Sequence, residues 1–250
     1  MFRIFLKKKL YSGANPKTGK DSEKNNRYKN RRAFERYHVE HLTVMNDQDI
    51  LVMRDLSAKG FSSDVSERAY DRFDLNDIYA ARMRYHGEVH DISVKVAWKN
   101  ERAVGFELHQ PDVDTLFFFQ KLIRPVQLAQ SMTVVDAAFM RDQHAGMLWF
   151  HGEGADLHLW QGEDEAGLSA WRLIADDQVV EWSRASGLRT GRVEKTTHTD
   201  LGILEPGQNH HAIDKHTNPD RLRFAIDLIS ALPFSERNEL EKTIEESQAS

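Results

Sequence analysis

Cysteine does not occur in this 250-residue chain, which excludes a disulfide framework, a thiolate metal centre and a cysteine nucleophile. Long apolar runs are missing too: none approaches the roughly 20 residues that cross a bilayer as a helix. The opening "MFRIFLKKKLYSG" lacks the small-residue cleavage site of a secretory signal, so the expected location is the cytoplasm. Catalytic signatures are equally scarce. There is no G-x-S-x-G elbow and no kinase set; "HGEGAD" is too short for a dinucleotide fingerprint. "GANPKTGKD" is one residue too long for a phosphate loop, and Asp21 stands where Ser or Thr should follow the lysine. The chain is therefore expected not to be an enzyme and to carry no cofactor or metal.

What is present is 40% apolar residues, enough for a real core, and an uneven distribution of charge. Residues 1–30 hold nine Lys/Arg against Asp21 and Glu23, a net +7, so residues 31–250 carry −12 of the overall −5. An acidic body is a poor ligand for phosphate backbone, and neither DNA nor RNA is an expected partner. The basic tail, with "FRIFLKKKL" at its head, suits weak attachment at the periphery of an anionic inner membrane. A solvated arm is the plainer reading of the same residues.

Period-two alternation dominates from Tyr37 to Leu108. "IYAARMRY" sets Tyr79, Ala81, Met83 and Tyr85 on one side; "DISVKVAW" does the same for Ile92, Val94, Val96 and Trp98; "VGFEL" groups Val104, Phe106 and Leu108. Short antiparallel strands in this number predict a small barrel. "PDVDTLFFFQKLIR" then predicts a helix capped by Asp112 or Asp114, with Leu116, Phe119 and Ile123 on one face and an end at Pro125. The expected organisation is a tail over 1–30, a barrel over 31–125 and a second domain over 126–250.

The second half reads as another antiparallel β-rich domain followed by helices. Trp149, Trp160, Trp171 and Trp182 recur every eleven residues, a coincidence of regular strand length rather than a true repeat. Asn218-Pro219 marks a helix start, and Leu222, Ala225, Ile226 and Ile229 form its apolar stripe. His198, His210, His211 and His216 show no zinc spacing and read as surface loop residues. His151 and His158, near Glu153 and Asp156, offer acid–base groups whose juxtaposition depends on geometry.

The sharpest signal lies at the seam between tail and barrel. "RRAFER" concentrates three guanidinium groups, which grip phosphate and guanine O6/N7 bidentately and stack on purines. "RDLSAKGF" supplies Asp55, an acceptor for guanine N1–H and N2–H, Ser57 as a hydroxyl, and Gly60 where the backbone must turn. Taken separately, these stretches read as a solvated cluster and an ordinary turn.

Together they resemble the PilZ domain family of cyclic di-GMP receptors, whose motif is R-x-x-x-R followed by [D/N]-x-S-x-x-G. Arg32-Ala-Phe-Glu-Arg36 and Asp55-Leu-Ser57-Ala-Lys-Gly60 fill every position, and Phe34, Trp98 and Gly105 are similar to the family as well. The resemblance covers about residues 31–124 and implies a six-stranded antiparallel barrel with a closing helix. It implies cyclic di-GMP as ligand, held by Arg31, Arg32, Arg36, Asp55, Ser57 and Gly60, with Arg31 favouring a stacked pair of ligand molecules. Binding would order the arginine-bearing tail against the barrel and alter contacts with a protein target. A homodimer is compatible with this reading. The alternatives are an adaptor of the same fold that binds no nucleotide, and a C-terminal enzyme domain regulated by the first.

Overall fold

The computed structural model describes residues 35–39, 42–46, 50–66, 70–136, 138, 146–162, 167–194 and 211–249. The N-terminal tail, Arg31, Arg32 and Phe34 lie outside the described residues, as do His198 and His210.

Alternation in the sequence becomes a wall with one buried face. Six strands, β1 (Leu42–Met45), β2 (Ile50–Ser57), β3 (Gly60–Asp64), β4 (Ile78–Tyr85), β5 (Glu88–Asn100) and β6 (Ala103–Leu108), close in the order β1-β2-β3-β6-β5-β4. Every neighbouring pair is antiparallel, and β1 meets β4 from Leu42 opposite Tyr85 to Met45 opposite Arg82, so no edge is left open. Val44, Leu56, Met83, Val94, Val96, Val104 and Phe106 fill the interior. Phe61 stacks on Phe106 with ring centroids 5.0 Å apart, and Phe73 meets Phe106 edge-on at 5.3 Å.

Helix α1 (Val113–Ser131) closes the barrel. Asp112 caps it, accepting from the Thr115 amide at 2.7 Å; hydrogen bonding with the Thr115 side chain, and then with that amide, holds the Asp112 carboxyl below its usual range. The helix does not stop at Pro125. A proline inside a helix forfeits one N–H bond, here outweighed because Val126, Leu128, Ala129 and Pro125 itself are buried. Leu116 departs from the expected face and stands 47% exposed; Phe118, Phe119, Leu122 and Ile123 face the barrel instead.

The expected boundary at 125/126 thus falls within α1. Its first turns belong to the barrel core, while Leu128, Ala129 and Met132 belong to a second core. Arg36–Ser250 form one compact unit. The second core lies under a seven-stranded open sheet. Its strands are β7 (Thr133–Val134), β8 (Met147–Gly152), β9 (Ala155–Gln161), β10 (Leu168–Ala175), β11 (Gln178–Ser183), β12 (Gly187–Val193) and β13 (His211–Ile213), paired in chain order. Helices α2 (Pro219–Ser230) and α3 (Arg237–Gln248) cover one face with Leu222, Ala225, Leu228, Leu240 and Ile244. Asn218 caps α2 ahead of Pro219, as the sequence suggests. Trp171 and Trp182 pair across β10 and β11, whereas Trp149 lies opposite His158 and Trp160 opposite Met147. Trp171 donates Nε1–H to Thr243 Oγ1 of α3 at 2.8 Å, on the helix-covered face; the register puts Trp149 and Trp160 on the other. Four tryptophans on two faces are not equivalent positions of a repeat.

Among the described residues no helix is long and apolar enough to cross a membrane. A polar clasp ties the β4–β5 turn to the helices. Asp227 of α2, buried, accepts the Tyr85 hydroxyl proton and lies 2.7 Å from His86 Nε2. Beside it, Glu88 takes Lys121 of α1 at 3.0 Å and Arg223 of α2 at 2.8 Å; the Lys121 bond, with both positive charges, holds its carboxyl below the usual range. Arg124 of α1 forks onto Asp176 in the β10–β11 turn at 2.7 and 2.5 Å.

Burial, and then the Asp227 charge, push the Tyr85 hydroxyl well above the usual phenol range. Its folded value therefore exceeds the unfolded one. The stability it contributes is complete below the unfolded value of about 10 and is lost as pH rises beyond it. Tyr85→Phe is expected to lower unfolding free energy at pH 7 by about 1–3 kcal/mol, since a buried carboxylate loses a donor. Denaturant titrations at pH 7 and above pH 10 should show the gap narrowing; a constant gap would contradict the assignment.

Candidate functional site

The site is built on two irregularities in the barrel. Between Met53 and Asp55 the β2–β3 register slips by one residue, and between Val96 and Trp98 the β5–β6 register does the same. A bulge inserts one residue and moves everything beyond it to the opposite face. Trp98, which simple alternation places with Ile92, Val94 and Val96, is thereby turned to the outer wall.

Four residues then fall into one row across four strands: Asp55 opposite Ser62, Ser62 opposite Gly105, Gly105 opposite Trp98. Gly105 is required by this row. A Cβ there would lie 2.0 Å from the Trp98 indole nitrogen, so only glycine lets the ring lie over β6. Gly60 answers a similar constraint at the end of the β2–β3 hairpin, where a Cβ would meet the Phe106 carbonyl oxygen at 2.0 Å. Ser57 shares the outer face with Asp55, and its hydroxyl donates to the Gly60 carbonyl at 3.1 Å, closing the turn.

Arg36 completes the group. Tyr37 and Leu56 exchange both backbone hydrogen bonds at 2.7 Å, which fixes the segment beside β2. From there Arg36 Nη1 donates to Asp55 Oδ1 at 2.6 Å, and the guanidinium carbon stands 5.9 Å from the centre of the Trp98 ring. Ser62 donates to the same Asp55 oxygen at 2.7 Å. The side chains of Arg36 and Asp55 remain 29% and 31% exposed, so their ion pair is worth no more than about 1 kcal/mol. An arriving anion can redirect that guanidinium at little cost. Tyr37 also links the segment to α1, its hydroxyl accepting from Gln127 Nε2 at 3.1 Å.

Of the six sequence candidates, Arg36, Asp55, Ser57 and Gly60 gather at this end of β2, in two touching pairs, Arg36 with Asp55 and Ser57 with Gly60. Arg31 and Arg32 lie outside the described residues. Ser62 escaped the sequence reading because an isolated serine in "GFSSD" carries no motif; its signal is the strand register alone.

Among the described residues the histidine-rich half forms no comparable centre. His151 Nδ1 lies 2.8 Å from Asp156 Oδ1, which also accepts Trp149 Nε1–H at 2.8 Å, while His158 stacks between Trp149 and Trp160. Among the described residues no serine or threonine hydroxyl is bonded to this His–Asp pair, and no three acidic, histidine or cysteine groups are placed to hold a metal. His216 is exposed; His211 is half-buried in β13 rather than in a surface loop.

No protein-family model matches the chain, and no curated protein matches it. Among solved structures, the crystal structure of an uncharacterized Legionella protein, Lpg0364, aligns with 36% of this chain and 90% of its own at 12% identity and a TM-score of 0.30. A likeness that low carries no argument, and the functional reading rests on the site itself.

Gly105→Ala tests the row. The added methyl group is expected to displace the Trp98 ring, shift its fluorescence towards that of exposed indole and cost about 1–3 kcal/mol of stability. Unchanged emission and stability would mean that the ring does not depend on the gap at Gly105.

Proposed function

We propose that this chain is a cyclic di-GMP receptor, a PilZ-like barrel coupled to a second β domain that meets a protein target. The observation that carries the reading is Arg36, held between the Asp55 carboxylate and the Trp98 ring on the outer barrel wall. A guanidinium, a carboxylate and an aromatic face match the three parts of a guanine nucleotide. Arginine suits phosphate and the O6/N7 edge, the carboxylate suits N1–H and N2–H, and the indole suits the flat base. Arg31 and Arg32 supply further guanidinium groups in this reading, Arg31 for a second stacked ligand molecule, while Ser57 and Gly60 hold the turn that borders the site. No catalytic step is assigned to the chain, and its proposed place is the cytoplasm.

A route to the second domain follows from the same residues. A ligand that draws Arg36 away from Asp55 acts on the chain next to Tyr37, which is bonded to Gln127 of α1. Helix α1 belongs to both cores, so a shift in its seating reaches the second sheet without a separate hinge.

Calorimetric titration with cyclic di-GMP tests the proposal. The intact protein is expected to bind, and the Arg32→Ala/Arg36→Ala protein to lose about 1–3 kcal/mol or more. Asp55→Ala should erode the preference for cyclic di-GMP over cyclic di-AMP more than Arg36→Ala does. A stoichiometry near two would favour the role given to Arg31. Absence of binding by the intact protein would overturn the receptor reading in favour of an adaptor.

A further inference from the structure

We propose that Ser62 is a positioning residue of this site, holding the Asp55 carboxylate in the orientation that selects guanine; the inference rests on the receptor reading above. Two adjacent serines on β3 show the contrast. Ser63 donates its hydroxyl to a backbone carbonyl, Val52 O at 2.8 Å, and so serves the barrel. Ser62, only 2% exposed, spends its hydroxyl on a side chain instead, Asp55 Oδ1 at 2.7 Å. The strand register sets the two opposite each other across β2 and β3, so this bond is made by the rigid wall.

Arg36 and Ser62 converge on the same carboxylate oxygen, but they differ in what a ligand does to them. A phosphate or a guanine edge competes for Arg36. The Ser62 hydroxyl is buried beneath the wall, out of reach of the acceptors a nucleotide carries. Once Arg36 has turned to the ligand, Ser62 is the donor among the described residues that still orients the carboxylate. The place vacated on Oδ1 can then accept one guanine N–H while Oδ2 accepts the other, since a carboxylate oxygen accepts more than one bond. A carboxylate free to rotate would still attract cations and donors, but it would lose the paired, in-plane acceptance that separates guanine from adenine.

The test is a double-mutant cycle on the full chain, with cyclic di-GMP and cyclic di-AMP as probes and thermal melting as the control for folding. Ser62→Ala is expected to weaken cyclic di-GMP about tenfold and to lower the ratio of the two affinities by a similar factor. In the Asp55→Ala background the same change should have no further effect on either nucleotide. A Ser62→Ala protein that keeps both affinities, weakens both equally, or adds its full effect on top of Asp55→Ala would overturn the positioning role while leaving the receptor standing. An intact protein that binds neither nucleotide would overturn both.

Discussion

Helix α1 is the member on which the rest of the structure depends. It closes the barrel with Phe118, Phe119 and Leu122 and enters the second core with Leu128 and Ala129. Neither core is complete without it. Buried aromatic and aliphatic side chains contribute roughly 1.5–3 kcal/mol each, far more than the exposed ion pairs along its flanks. The polar contacts of Glu88, Arg124 and Asp227 therefore define how the parts are oriented, while apolar burial holds them together. A helix shared in this way makes the 36–250 region one body, and it explains why a proline near its middle is tolerated.

The candidate site sits at the opposite extreme of rigidity. Its frame is a closed barrel whose edges are all paired, yet its central ion pair is partly exposed and weak. That combination suits recognition. Bulges and glycines place Asp55, Ser62 and Trp98 in one row at the cost of locally broken pairing. Arg36, on a segment that meets β2 through a backbone bridge at Tyr37, is the part that can be redirected. The proposal that a nucleotide does so links a small electrostatic event to the packing of α1 through one hydrogen bond, Tyr37 to Gln127.

Much of the fold was legible because local pattern and burial agree. Ala81, Met83 and Tyr85, and Ile92, Val94 and Val96, are buried as their alternation implies, and Asp112 and Asn218 cap the helices they precede. The pairing of Arg36 with Asp55 was foreshadowed by two motifs whose separation matters more than their composition. Trp98 was assigned to the wrong face because a bulge moves a residue without changing the composition around it. Pro125 misled for a different reason: the rule that proline ends helices is local, and the burial that overrides it comes from two cores, Val126 in that of the barrel and Leu128 and Ala129 in the second. The clasp of Tyr85 on Asp227 spans 142 positions and has no local signature at all.

The central claim is that the row from Asp55 to Trp98, with Arg36 above it, is where the nucleotide rests. Trp98 is the only one of the five tryptophans in the barrel half, so its emission reports on that row directly. The measurement is tryptophan fluorescence during titration with cyclic di-GMP, made side by side on the intact protein and on Trp98→Phe. The account predicts a saturable change in the intact protein that is absent from the variant. The same change in both proteins would place the nucleotide elsewhere, and no change in the intact protein at saturating ligand would contradict the site.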